Sequence, residues 1–80
     1  MNIYIGNLPY RTDESEIEKL FSKYGEVTSV KLIVDRATGR KKGFGFVEMD
    51  DVGGQKAIDS LNETEFNGRN IKVNVAKMKN

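Results

Sequence analysis

The sequence predicts an α+β sandwich of order βαββαβ: a four-stranded antiparallel sheet with two helices on one of its faces. Three observations carry that prediction. Apolar residues recur at helical spacing in two stretches, 12–24 and 51–62. Runs rich in β-branched and aromatic residues precede, separate and follow them. A chain of 80 residues, 38% of them hydrophobic, has room for one core and no second domain.

Ile3-Tyr4-Ile5-Gly6-Asn7-Leu8, closed by Pro9, reads as the first strand. Ile17, Leu20, Phe21 and Tyr24 then stand at i, i+3, i+4 and i+7, one apolar helix face. Thr12 or Asp13 is suited to cap this helix, acids fill its first turn, and Gly25 suits the left-handed position after its last turn. Val27–Val34 reads as the second strand, with Val30, Leu32 and Val34 alternating against Lys31 and Ile33. Asp35–Arg40 is a turn-rich loop that runs into the basic triplet Arg40-Lys41-Lys42, and Gly43–Met49 is the third strand. Val52–Leu61 sets Ala57, Ile58 and Leu61 at helical spacing, with Asp51 as the N-cap. Gly53 and Gly54 cost that helix roughly 1 kcal/mol each against alanine, which predicts a frayed first turn. Asn67-Gly68 signals a tight hairpin, with Phe66 closing the core beside it, and Ile71–Ala76 is the last strand. The order is that of the split βαβ, ferredoxin-like layout, spanning residues 1–77 with a short tail at 78–80.

Composition removes several functions. The chain has no cysteine and no histidine, so disulfides, thiolate metal sites and cysteine or histidine catalysis are excluded. No metal or other cofactor is expected. There is no apolar run of about 18 residues and no signal-like start, so neither a membrane span nor secretion is expected, and the cytoplasm is the default location. Net charge is +1, but it is unevenly spread. The two helical stretches carry −3, segment 27–49 carries +3, and the last twelve residues carry +4. An anion-attracting face opposite an acidic one is expected.

Strand alternation says what lies on the basic face. Lys42, Phe44, Phe46 and Glu48 share one side of the third strand, and Gly43, Gly45, Val47 and Met49 the other. A small core does not bury Lys42 and Glu48 unpaired, so Phe44 and Phe46 go to solvent with them. In the first strand Ile3 and Ile5 go inward, leaving Asn2, Tyr4 and Gly6 outside; the opposite phase would expose Ile3, Ile5 and Val47. Lys31 and Ile33, with Lys72 and Asn74, complete the open face. Because both helices cover the other side of the sheet, three aromatics ringed by lysines remain uncovered. Flat rings that stack on bases and ammonium groups that meet phosphates fit single-stranded nucleic acid. Tyr10 falls in a loop and has no assigned place.

Two segments carry a family likeness. Ile3-Tyr4-Ile5-Gly6-Asn7-Leu8 resembles the hexamer motif of the RNA recognition motif (RRM) family, and Lys42-Gly43-Phe44-Gly45-Phe46-Val47-Glu48-Met49 resembles its octamer motif. The likeness runs from about Asn2 to Lys77 and is closest to the short single-domain RNA-binding proteins of bacteria and to the RRM of glycine-rich plant proteins. It implies that Tyr4 stacks under one base and Phe46 under its neighbour, that Phe44 lies against the sugars, and that Lys42 pairs with phosphate. It further implies base contacts from Asn74, Ala76 and Lys77 at the end of the last strand. Lys31 and Lys72 would flank the path, and Arg36, Arg40 and Lys41 would grip backbone or a structured RNA from their loop. Met49 departs from the family's closing Phe or Tyr, at a position that alternation sends to the core.

Other signals are weaker. Gly43-Phe44-Gly45 lacks the third glycine of a dinucleotide loop, having Glu48 in its place, and Gly39-Arg40-Lys41-Lys42-Gly43 lacks P-loop spacing. Asn62-Glu63-Thr64 matches a glycosylation acceptor with nothing to direct secretion, and Asp50-Asp51 reads as a helix cap plus a loop acid. Acylphosphatases share the layout, but Asn7-Leu8-Pro9-Tyr10 stands where their phosphate-cradling arginine loop would be, so no enzyme is expected. The expected function is single-stranded RNA binding on the sheet, by a monomer acting as a post-transcriptional regulator or RNA chaperone with low sequence specificity. Single-stranded DNA stays open as a ligand, because stacking does not sense the 2′-hydroxyl. The alternative is a protein-interaction module using the acidic helix face.

Overall fold

The sheet is built from the four strands that the alternation pattern marks out. In the computed structural model, which describes residues 1–76, these are β1 (Asn2–Gly6), β2 (Val27–Val34), β3 (Lys41–Met49) and a last strand at Lys72–Val75. Helix α1 (Glu14–Ser22) joins β1 to β2, and helix α2 (Asp51–Leu61) follows β3. A small ribbon, β4 (Glu65–Phe66) and β5 (Arg69–Asn70), precedes the last strand, which is therefore β6. The sheet order is β2-β3-β1-β6, with every neighbouring pair antiparallel. The architecture is the expected α+β, ferredoxin-like βαββαβ sandwich, with the β4–β5 ribbon as an addition.

The core lies between the sheet and the helices. Ile3 and Ile5 of β1, Val47 and Met49 of β3, and Val73 of β6 are buried against Ile17 and Phe21 of α1 and Ala57 and Leu61 of α2. Tyr24 and Phe66 pack against its margin. Met49 is 2% exposed, so the octamer's departure from an aromatic falls in the core, where a flexible thioether fills the space.

Several local expectations need correction. Helix α1 begins after Asp13, whose side chain makes no capping bond, and ends with Lys23 in the right-handed region. Gly25 is not a left-handed cap; glycines with positive φ are Gly39, Gly43 and Gly68. Its lack of a side chain serves helix packing instead. A β-carbon placed on Gly53 would lie 2.7 Å from both Gly25 Cα and Tyr24 O, so α2 starts against the end of α1. The N-cap of α2 is Asp50, one residue before Asp51: Oδ2 accepts from Gly53 N at 2.7 Å and Oδ1 from Glu26 N at 2.9 Å. Gly53 and Gly54 are buried in a formed turn, not a frayed one, because close packing and the cap offset their poor propensity.

Two further differences come from turns. Strand β3 begins at Lys41 rather than Gly43, but with a bulge: Leu32 pairs with Gly45 and Val34 with Lys41. Gly43 sits at φ 84° within it and its carbonyl accepts from Leu8 N at 2.8 Å. Val34, which alternation sends to the core, is 47% exposed at the end of β2. Asn67 (φ 50°) and Gly68 (φ 89°) make the expected tight turn. That turn closes the separate β4–β5 ribbon, and Ile71 is left buried between the ribbon and β6.

Candidate nucleic-acid interface

Register places four side chains in one row across the sheet. Lys31 pairs with Phe46, Phe46 with Tyr4, and Tyr4 with Asn74. Directly paired residues in an antiparallel sheet point to the same face, so this row lies opposite the core. The neighbouring row runs Ser29, Glu48, Asn2, and Asn2 O accepts from Ala76 N at 2.9 Å. One row is aromatic and basic; the other carries hydrogen-bonding groups.

The three rings form a closed triangle. Tyr4 lies 6.1 Å from Phe44 and 6.0 Å from Phe46, and Phe44 lies 6.4 Å from Phe46. Phe46 meets both of the others edge-on, at 63° and 89°, which aims positive ring edges at negative faces and holds the rings in place. Each ring is half-buried by its neighbours. The Tyr4 ring also covers Gly6, which is buried and not open as alternation alone implies.

The charged residues divide into free and engaged groups. Lys31 and Lys42 are exposed, and Lys42 borders a hollow with Tyr4 and Phe44. Asn2, Lys31, Phe46 and Glu48 border a second hollow of about 380 Å³ on the open face. Lys72 is exposed, but its Nζ is 3.2 Å from Glu63 Oε1, a surface pair of small worth. Arg36 and Arg40 are exposed, and their guanidinium groups have no partner among the described residues. Lys41 is different. Its Nζ donates to Thr12 O and pairs with Asp13 Oδ1 at 3.1 Å, so it ties β3 to the start of α1 while bordering the same hollow as Arg40. Asn74 is exposed beside Tyr4 and Ala76 is half-buried; Lys77 lies outside the described residues.

Sequence reasoning missed three residues at the lower end of the face. Asn7, at φ 58°, donates from Nδ2 to Asn70 O at 2.6 Å and accepts from Arg69 Nη2 at 2.8 Å. Arg69 and Asn7 share a hollow with Tyr4, Tyr10 and Lys42. The sequence offered one signal for Arg69, its place in the acid-free C-terminal run, and one for Tyr10, an aromatic in a loop that has no core face. Among the described residues, no group of three acidic side chains is placed to hold a metal ion.

Comparison with known proteins agrees with this geometry. A profile of the RNA recognition motif matches residues 3–72. The chain is 49% identical over 78 residues to RbpE of Nostoc sp., named as an RNA-binding protein, covering 96% of this chain and 79% of that one. It is 45% identical over 76 residues to a 31 kDa chloroplast ribonucleoprotein of Nicotiana sylvestris, covering 94% of this chain and 24% of the relative. Among solved structures, RNA-binding protein PG1 superposes with a TM-score of 0.95 at 48% identity, covering 100% of this chain and 98% of that one. The Rna15 RRM with bound RNA superposes with a TM-score of 0.85 at 32% identity, covering 96% and 83%. With the profile spanning most of the chain and the paired motifs lying on adjacent strands, the chain belongs to the RNA recognition motif family.

Proposed function

We propose that this protein binds single-stranded RNA on the open face of its sheet, by stacking bases on Tyr4 and Phe46 and meeting phosphates with Lys42, Lys31 and the loop arginines. The observation that carries the reading is the uncovered triangle of rings, joined in one row to Lys31 and Asn74. An apolar cluster left on the surface of a small domain marks an interaction site, and flat rings suit stacked bases. Relatives named as RNA-binding proteins and a similar RRM solved with RNA support RNA as that ligand. They favour this reading over a protein-interaction role for the helices. The protein acts by binding, as its family does, rather than by catalysis.

Two stacked bases contribute about 2–6 kcal/mol, short of the roughly 8 kcal/mol that micromolar affinity requires. Phosphate contacts supply the remainder, so binding is weak, salt-sensitive and tolerant of sequence. That profile suits a cytoplasmic, monomeric regulator or chaperone of RNA. The test is a two-dimensional amide NMR titration with a short mixed-sequence RNA at low salt, repeated with DNA of the same sequence. Shifts at Tyr4, Phe44, Phe46 and the residues after Val75 are expected. Shifts confined to α1 and α2, or none at high micromolar RNA, would refute the reading.

A further inference from the structure

Tyr10 is 66% exposed, a large ring standing in solvent at the foot of the sheet. Its position is set by the β3 bulge. A β-carbon on Gly43 would lie 3.0 Å from Leu8 O and 3.4 Å from Tyr10 Cε1, so the ring rests beside backbone that carries no side chain. Gly43 is held at φ 84°, which strains any other residue there. Tyr10, Lys42 and Phe44 together form a ridge between two hollows, because all three border both. On one side lies the Tyr4–Arg69 hollow next to the stacking rings. On the other lies an open basin of about 900 Å³, walled by Thr38, Gly39 and Arg40 of the β2–β3 loop.

This arrangement has the parts of a nucleotide subsite. It supplies an exposed aromatic face, a second ring in Phe44, and the cations of Arg40 and Lys42, which have no side-chain partner among the described residues. It is continuous with the stacking row, since Phe44 and Lys42 serve both. We infer that Tyr10 is a further base-stacking platform, which takes a nucleobase of the same strand beyond those on Tyr4 and Phe46, with Arg40 at its phosphate. The inference rests on the proposed RNA-binding reading. It extends the contact surface from the sheet into the basin, and it gives Tyr10 and the β2–β3 loop a role that depends on ligand length.

The experiment measures fluorescence anisotropy with the three-nucleotide RNA ACU and the six-nucleotide RNA ACUACU, using the wild type, Tyr10→Ser, Tyr10→Phe and Phe46→Ala. Circular dichroism melts confirm that each variant is folded. The expected result is that Tyr10→Ser weakens binding of the longer RNA by roughly five-fold or more, leaves the shorter within about two-fold, and is rescued by Tyr10→Phe. Equal affinity of Tyr10→Ser and wild type for the longer RNA would overturn the inference. So would an equal loss on both lengths, which places Tyr10 among the groups that any short RNA touches. Phe46→Ala reports separately on the sheet: loss there with no effect of Tyr10→Ser refutes the subsite and spares the RNA-binding reading. If Phe46→Ala binds both RNAs as the wild type does, the sheet reading fails.

Discussion

The ring of Tyr4 lies over the α-carbon of Gly6, two residues along the same strand and on the same face. A β-carbon on Gly6 would sit 2.7 Å from Tyr4 Cζ. Glycine at this position lets the ring lie flat along the strand toward Asn7 and Arg69, in place of standing up from the sheet. The same ring is 6.0 Å from Phe46 and 6.1 Å from Phe44, so its tilt is shared with both. The pose of the Tyr4 ring thus depends on the missing side chain of Gly6.

Gly6→Ala should therefore act on binding more than on stability. Backbone strain is not at issue, since Gly6 does not have positive φ. The displaced group is the hydroxyl end of a half-buried surface ring, which can shift away from the strand. We expect the variant to melt within a few degrees of the wild type and to lose up to the worth of one stacked base, about 1–3 kcal/mol. Ring proton shifts of Tyr4 by NMR, with an RNA titration, check both halves. Unchanged affinity with a displaced ring would show that Tyr4 does not stack.

Lys42 and Lys41 are neighbours in sequence with different duties. Lys42 is exposed beside the rings with no partner among the described residues, whereas Lys41 is held by Thr12 O and Asp13. Lys42→Gln should lower RNA affinity and reduce the slope of log affinity against log salt by about 0.7, the value of one single-strand phosphate contact. Lys41→Gln should leave that slope close to wild type and lower thermal stability instead. A salt series run on both variants separates them, and equal slopes for the two would contradict the geometry.

Asp50 links stability to acid pH. Hydrogen bonds from Gly53 N, and next from Glu26 N, hold its carboxyl below the usual carboxylate value. A group whose pKa is lower in the folded state stabilises above its unfolded pKa, near 3.9, and loses that contribution as pH falls through the folded value. Denaturant melts from neutral pH downward should show a falling limb below about pH 4 that is flattened in Asp50→Asn. An identical limb in both proteins would remove Asp50 as its cause.

Gly53→Ala tests packing against propensity. In a free helix the change gains roughly 1 kcal/mol. Here the added methyl meets the Gly25 α-carbon and the Tyr24 carbonyl at 2.7 Å, both backbone that yields only if the helices part. The variant should be less stable than the wild type by about 1–3 kcal/mol, as for an overpacked core position. Urea unfolding followed by circular dichroism gives the sign, and a stabilised Gly53→Ala would mean that α1 and α2 do not meet this closely.

Most of the open face of the sheet was readable because a strand's alternation is local. Glu48 and Lys42 excluded one phase of β3, Ile3 and Ile5 excluded one phase of β1, and the three aromatics followed. The family motifs then matched positions that the alternation had already turned outward. The limits of this logic show at Val34 and Lys41. The irregularity at Gly43 moves the β2–β3 pairing by two residues, and periodicity registers neither that shift nor the partners it sets.

Sequence alone determined the order of the two helices and the four strands of the main sheet, the core face of each helix and the outward rings, because each follows from spacing along a continuous segment. Tertiary structure decided what depends on segments far apart in the chain. It set Gly53 against Gly25, gave Asp50 the amides of Glu26 and Gly53, tied Lys41 to Thr12 and Asp13, and put Tyr10 on the rim of one basin with Phe44 and Arg40. Those contacts arise where loops and helix ends converge, and a loop has no period from which its facing could be read.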